Sequence, residues 1–90
     1  MIDQDVLRKY VVRRQDDFEK CIEAVGQSSF STIEMIGHKM KGNGVTFGFP
    51  ELSELGESLE NAAIDRDMDA IKKKLADFKS WLSTQSHLAH

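Results

Sequence analysis

His38-Lys39-Met40-Lys41-Gly42 concentrates the residues that could do chemistry. A histidine in a helix-forming run carries cations at i+1 and i+3 and a glycine at i+4. A neutral imidazole nitrogen is a nucleophile, and histidine exposed to water is mostly neutral at pH 7. Two neighbouring lysines supply positive charge for an anionic reactant, and a glycine leaves space for it. The pentapeptide therefore reads as an imidazole displayed for an anionic group.

A helix must aim that imidazole outward. In the window 29–42, Ile33, Ile36, Gly37 and Met40 fall at i, i+3, i+4 and i+7, one face of an amphipathic helix. With that face on the core, His38 lies roughly 150° away and is expected to be exposed, Gly42 nearly opposite the core and Lys41 on the flank. Ser31, Met35, His38 and Gly42 then form one outward stripe, with an apolar residue one turn before the histidine and no side chain one turn after it. A partner surface could approach closely there. Ser31-Thr32-Ile33-Glu34 has capping-box spacing, so this helix should start at about Ser29 to Ser31 and end near Asn43-Gly44.

Three more helical regions surround it. Leu7, Tyr10, Val11, Phe18, Cys21, Ile22 and Val25 keep helical phase from about Asp3 to Val25. Gln15-Asp16-Asp17 interrupts that region, where Asp could cap a new helix and Arg14 takes an apolar slot, so a kink or break is expected, with a short extra N-terminal helix before it. After a connection at Val45 to Phe49, Pro50 suits the first turn of a third helix whose stripe is Leu52, Leu55, Leu59 and Ala62. Asp65-Arg66-Asp67 reads as a turn with a capping Asp. Met68, Ile71, Leu75, Phe78 and Leu82 then mark a fourth helix. Short connections make consecutive helices antiparallel neighbours, so the expected fold is all-α, an up-down antiparallel four-helix bundle. Residues 1–84 form the expected domain and 85–90 a frayed tail.

Composition narrows the function classes. Ninety residues, 40% hydrophobic and 30% charged, support one globular domain. A formal net charge of −3 and dispersed lysines without an aromatic platform argue against a nucleic-acid partner. No apolar run approaches the roughly 20 residues of a membrane span, so no membrane partner is expected. The start Met-Ile-Asp-Gln-Asp lacks signal-peptide regions and the single Cys21 cannot form an internal disulfide, which points to the cytoplasm.

His38, Met40, Lys41, Gly42 and Gly48, followed by Leu52, Leu55, Leu59 and Glu60, resemble the histidine-containing phosphotransfer (HPt) domain. Its pattern is roughly His-x-Leu-Lys-Gly, with a glycine ten residues after the histidine and a Leu-rich helix behind it. The match runs without a gap from about Ile33 to Ala63. This chain departs from the pattern in Gly37, where Ala is frequent, in Met40 for Leu and in Pro50 after Gly48. Gly37 should weaken the helix by roughly 1 kcal/mol against Ala.

The resemblance implies that His38 is a phosphoacceptor and that Lys41 stabilises the transferring phosphoryl oxygens, with Lys39 a more peripheral cation and Gly42 providing steric access. Glu60, 22 residues after His38, takes the place from which a polar side chain reaches the histidine's other ring nitrogen. Ser53, Gly56 and Glu60 share one edge of the third helix, and Gly56 would let the histidine helix come close. The implied partners are a response-regulator receiver domain and a histidine kinase, docked around Ser31, Met35 and Gly42, with the chain as a monomer.

No cofactor is expected in the chain, the receiver bringing Mg²⁺. Neither kinase nor ATPase activity is expected either, for there is no nucleotide loop and no carboxylate cluster. Two other readings are a non-catalytic helical interaction module and the phosphoacceptor domain of a chemotaxis-type kinase, to which a Glu at position 60 is similar.

Weaker signals resolve blandly. Asp65, Asp67 and Asp69 alternate like a calcium loop, but Ala70 and Ala76 stand where its glycine and glutamate belong. His87 and His90 lack partners at metal spacing. Cys21 reads as a core residue, and Trp81 should pack at the bundle's edge.

Overall fold

The apolar stripes become four helices in a computed structural model that describes residues 3–85: α1 (Gln4–Gly26), α2 (Phe30–Asn43), α3 (Pro50–Ile64) and α4 (Met68–Thr84). The tail expected at 85–90, with His87 and His90, lies outside the described residues except for Gln85. Successive helices pack on one another and α4 closes back on α1, giving the all-α bundle; α2 and α3 form the most intimate pair. Each helix contributes fully buried side chains: Val11 and Cys21, Ile33 and Met40, Leu52 and Leu59, Ile71 and Phe78. Burying a large apolar side chain contributes about 1.5–3 kcal/mol, so these residues hold the bundle together. Burial pushes the Cys21 thiol up to about 12.

Local signals account for three of the helix starts. Asp3 accepts from the Asp5 backbone N–H at 3.1 Å, and Asp67 from that of Ala70 at 3.0 Å, each capping the helix that follows. Pro50 occupies the first turn of α3, where its missing N–H loses no hydrogen bond. The connection before it is tighter than a plain loop: Val45–Phe47 make a 3-10 turn that Gly48 ends at φ 87°, a left-handed conformation that suits glycine.

Three sequence expectations are overturned. The break near Gln15-Asp16-Asp17 does not occur, and among the described residues there is no separate N-terminal helix, because α1 runs through unbroken. Arg14 fits the apolar slot by laying its guanidinium over the Tyr10 ring, 4.6 Å from the centroid, while its Nε lies 2.9 Å from Asp17 Oδ2. Asp17 is thus engaged in an i,i+3 ion pair and caps nothing. The capping box at Ser31–Glu34 is not formed. Ser29 is the N-cap, its backbone N–H bonds Ala24 O at 2.8 Å, and its hydroxyl pairs with the Thr32 hydroxyl at 2.8 Å. Trp81 is buried, edge-on to Phe49 at 5.1 Å and tilted against Phe78 at 6.5 Å.

An aromatic cluster locks the end of the bundle where α2 finishes. Tyr10 stacks on Phe47 at 4.3 Å and on Phe49 at 5.8 Å, and its hydroxyl donates to Asn43 Oδ1 at 2.6 Å. Burial raises the pKa of that hydroxyl, so it stays a donor. This clamp fixes the last turn of α2, and with it the register of His38.

Candidate functional site

The phase of α2 settles most of the site. Ile33, Ile36, Gly37 and Met40 are buried, as their spacing requires, and the opposite face is left to solvent. Ser31, Met35, His38 and Gly42 are all exposed, so the outward stripe exists. The His38 side chain is 72% exposed, and Met35, at 52%, is one of the exposed large hydrophobics.

The ring is nonetheless held on one side. Its Nδ1 lies 2.7 Å from Glu60 Oε2, and an ionised carboxylate only accepts, so Nδ1 carries the proton. The lone pair then resides on Nε2. Glu60 reaches across from α3 with its side chain only 15% exposed, which strengthens the bond relative to one in open water. Its other oxygen faces Lys41, whose half-exposed Nζ stands 3.9 Å away. Histidine, carboxylate and lysine therefore converge at the α2–α3 seam. Lys39 is exposed and makes no ion pair among the described residues, and Ser31 lies two turns before His38 on the same stripe.

Two glycines make the seam narrow. An ideal Cβ on Gly56 would stand 2.5 Å from Lys41 N and 2.7 Å from Gly37 O; one on Gly37 would stand 2.6 Å from Glu60 N and 2.7 Å from Gly56 O. The close approach expected at Gly56 is present, and Gly37, expected on the core face and as a cost to its helix, forms its other half. The signal available was its place on the core face of α2, with a second glycine on the facing edge of α3. Gly42 differs: an added Cβ would meet nothing within 4 Å, and Gly44 beyond it is the C-cap residue.

Among the described residues no three His, Cys, Asp or Glu side chains group as a metal site, and no helix is long and apolar enough to cross a membrane. A solvent-facing imidazole whose Nδ1 is held by a carboxylate, with a lysine one turn on, is equipped to accept an electrophilic anionic group at Nε2.

The family model described as Hpt domain matches residues 5–84. The chain belongs to the Hpt domain family. Comparison with curated proteins and with solved structures gave no match. Hpt domains transfer phosphoryl groups in two-component relays and interact there with receiver domains and kinases, so phosphotransfer within such a relay is the activity of this domain.

Proposed function

We propose that His38 carries the phosphoryl group, taking it from a receiver-domain aspartyl phosphate or from a histidine kinase and passing it to another receiver aspartate. The observation that carries this reading is the 2.7 Å bond from His38 Nδ1–H to Glu60, which leaves Nε2 as an exposed nucleophile. In the step from a receiver, the Nε2 lone pair attacks phosphorus, the P–O bond to the aspartyl carboxyl oxygen breaks, and its electron pair leaves with the aspartate carboxylate. The ring becomes cationic, and the Glu60 carboxylate at Nδ1–H offsets that charge. Transfer onward is the reverse, with a different carboxylate.

Lys41 supplies charge to the phosphoryl oxygens, and its weak 3.9 Å pairing with Glu60 leaves it able to turn toward them. Lys39 adds a peripheral field. The stripe through Ser31, Met35 and Gly42 is the docking face, apolar at Met35 and without a side chain at Gly42, as a small transient interface needs. The receiver brings Mg²⁺ and the aspartate, and the domain itself, a monomer, does not hydrolyse ATP.

The test is incubation with a phosphorylated receiver, following acid-labile label on the domain. His38→Gln should abolish acceptance while helicity and thermal stability hold, because so exposed a side chain contributes little to folding. Unimpaired transfer to that variant would overturn the assignment. The carboxylate at position 60 favours one second reading, a phosphoacceptor domain of a chemotaxis-type kinase. Direct labelling by such a kinase, without labelling by any receiver, would select it.

A further inference from the structure

We propose that Gly37 is a positioning residue: its backbone contact with α3, opposite Gly56, sets the His38–Glu60 hydrogen bond and thereby the tautomer of the nucleophile. This rests on the reading of His38 as phosphoacceptor only for its effect on transfer; the geometric claim is independent of it.

The obstacles are what make the contact decisive. A methyl on Gly37 would meet Glu60 N at 2.6 Å, Gly56 O at 2.7 Å and Glu60 Cα at 3.1 Å, all of them backbone atoms. No rotamer change relieves such a clash, so α2 and α3 must part locally. Ordinary contact begins at about 3.4 Å, which asks for roughly 0.8 Å at the tightest point. Two of those three atoms belong to Glu60 itself, the residue carrying the carboxylate, and the residue next to Gly37 carries the imidazole. Added to a 2.7 Å bond, a displacement of that size reaches the limit at which a hydrogen bond loses most of its strength.

Gly56 is the reciprocal half. A methyl there would meet Lys41 N at 2.5 Å, Gly37 O at 2.7 Å and Met40 Cβ at 2.7 Å, so it too would drive the helices apart, this time at the lysine of the site. Gly42 lies on the same helix as Gly37 but faces open space. A Gly→Ala change at 42 therefore alters helix propensity without touching the seam, and serves as its control.

The readout is the ¹⁵N spectrum of the His38 ring in the free domain, which distinguishes the Nδ1–H from the Nε2–H tautomer without any partner. In wild type the Nδ1–H form should dominate. In Gly37→Ala it should lose that dominance, and in Gly42→Ala it should keep it. Glu60→Ala should change the ring spectrum of wild type strongly and that of Gly37→Ala little, since the contact is already lost there. Phosphoryl acceptance by Gly37→Ala should fall about tenfold. Gly56→Ala, clashing from the other side, should move the tautomer in the same direction.

A folded Gly37→Ala with the wild-type ring spectrum would overturn the proposal, because Glu60 would then be following the ring on its own torsions. If Gly37→Ala does not fold, Gly56→Ala decides: a folded Gly56→Ala with an unchanged ring spectrum overturns it, and failure of both to fold assigns the glycines to fold stability and overturns it equally. A wild-type domain that takes no phosphoryl group, yet shows the tautomer changes, would sink the reading of His38 while leaving the positioning role intact.

Discussion

Gly42→Gln separates steric access from backbone need, because the two accounts differ in sign. An added Cβ at position 42 meets nothing within 4 Å, so the folded state should accommodate the side chain without strain. Replacing an exposed helical glycine by a good helix former stabilises by up to about 1 kcal/mol in a helix interior; one residue from the end of α2, about half of that is expected. For a domain of this size that corresponds to a rise in Tm of roughly 2–4 °C. The Gln side chain would project along the stripe one turn beyond His38, into the space that a receiver must fill. Loss of that contact should weaken docking about tenfold, equivalent to about 1.4 kcal/mol. Urea denaturation measures the first effect, and calorimetric or NMR titration with a receiver domain measures the second. A variant that is more stable and docks as wild type would refute the access argument; one that is less stable and docks normally would make Gly42 a requirement of the helix end.

Lys41→Ala should slow phosphoryl transfer tenfold to a hundredfold, the scale of one charge-stabilising contact, while leaving Tm nearly unchanged, since a long 3.9 Å pairing made by a half-exposed lysine contributes little to stability; equal single-turnover rates would show that the receiver's own cations suffice. Asp67→Ala should cost about 1 kcal/mol in denaturation because it strips the cap from α4, with no effect on transfer. Burial holds the Cys21 thiol near 12, so native protein at pH 8.5 should resist iodoacetamide that labels the unfolded chain readily, and rapid native labelling would contradict its place in the core. Because the unfolded thiol ionises first, Cys21's contribution to stability should fall as pH climbs from about 9 towards 12, which denaturation at stepped pH would follow.

What the sequence by itself determined is what depends on neighbours along one helix. The spacing of Ile33, Ile36, Gly37 and Met40 sets which way α2 faces, and hence that His38 is exposed, because helical phase is a local property. Asp67 as a cap and Pro50 in a first turn were legible for the same reason: each acts within a turn of its own position. Local reasoning also failed locally at Gln15-Asp16-Asp17, where Asp17 could equally cap a new helix or pair with Arg14. Only the packing of Arg14 over Tyr10 decided between them.

The site divides along the same line. Glu60 could be picked out through resemblance, but the distance that makes its carboxylate choose the tautomer of His38 exists only because two helices meet backbone to backbone. Gly37 shows the difference most sharply. Along its own helix it is a weakness, and its value comes entirely from Glu60 and Gly56 across the seam, atoms that no helical periodicity brings near. Propensity and phase act through a few covalent steps, whereas the reach of a carboxylate across two helices is set by how closely their axes pack, and that closeness is a property of the folded bundle.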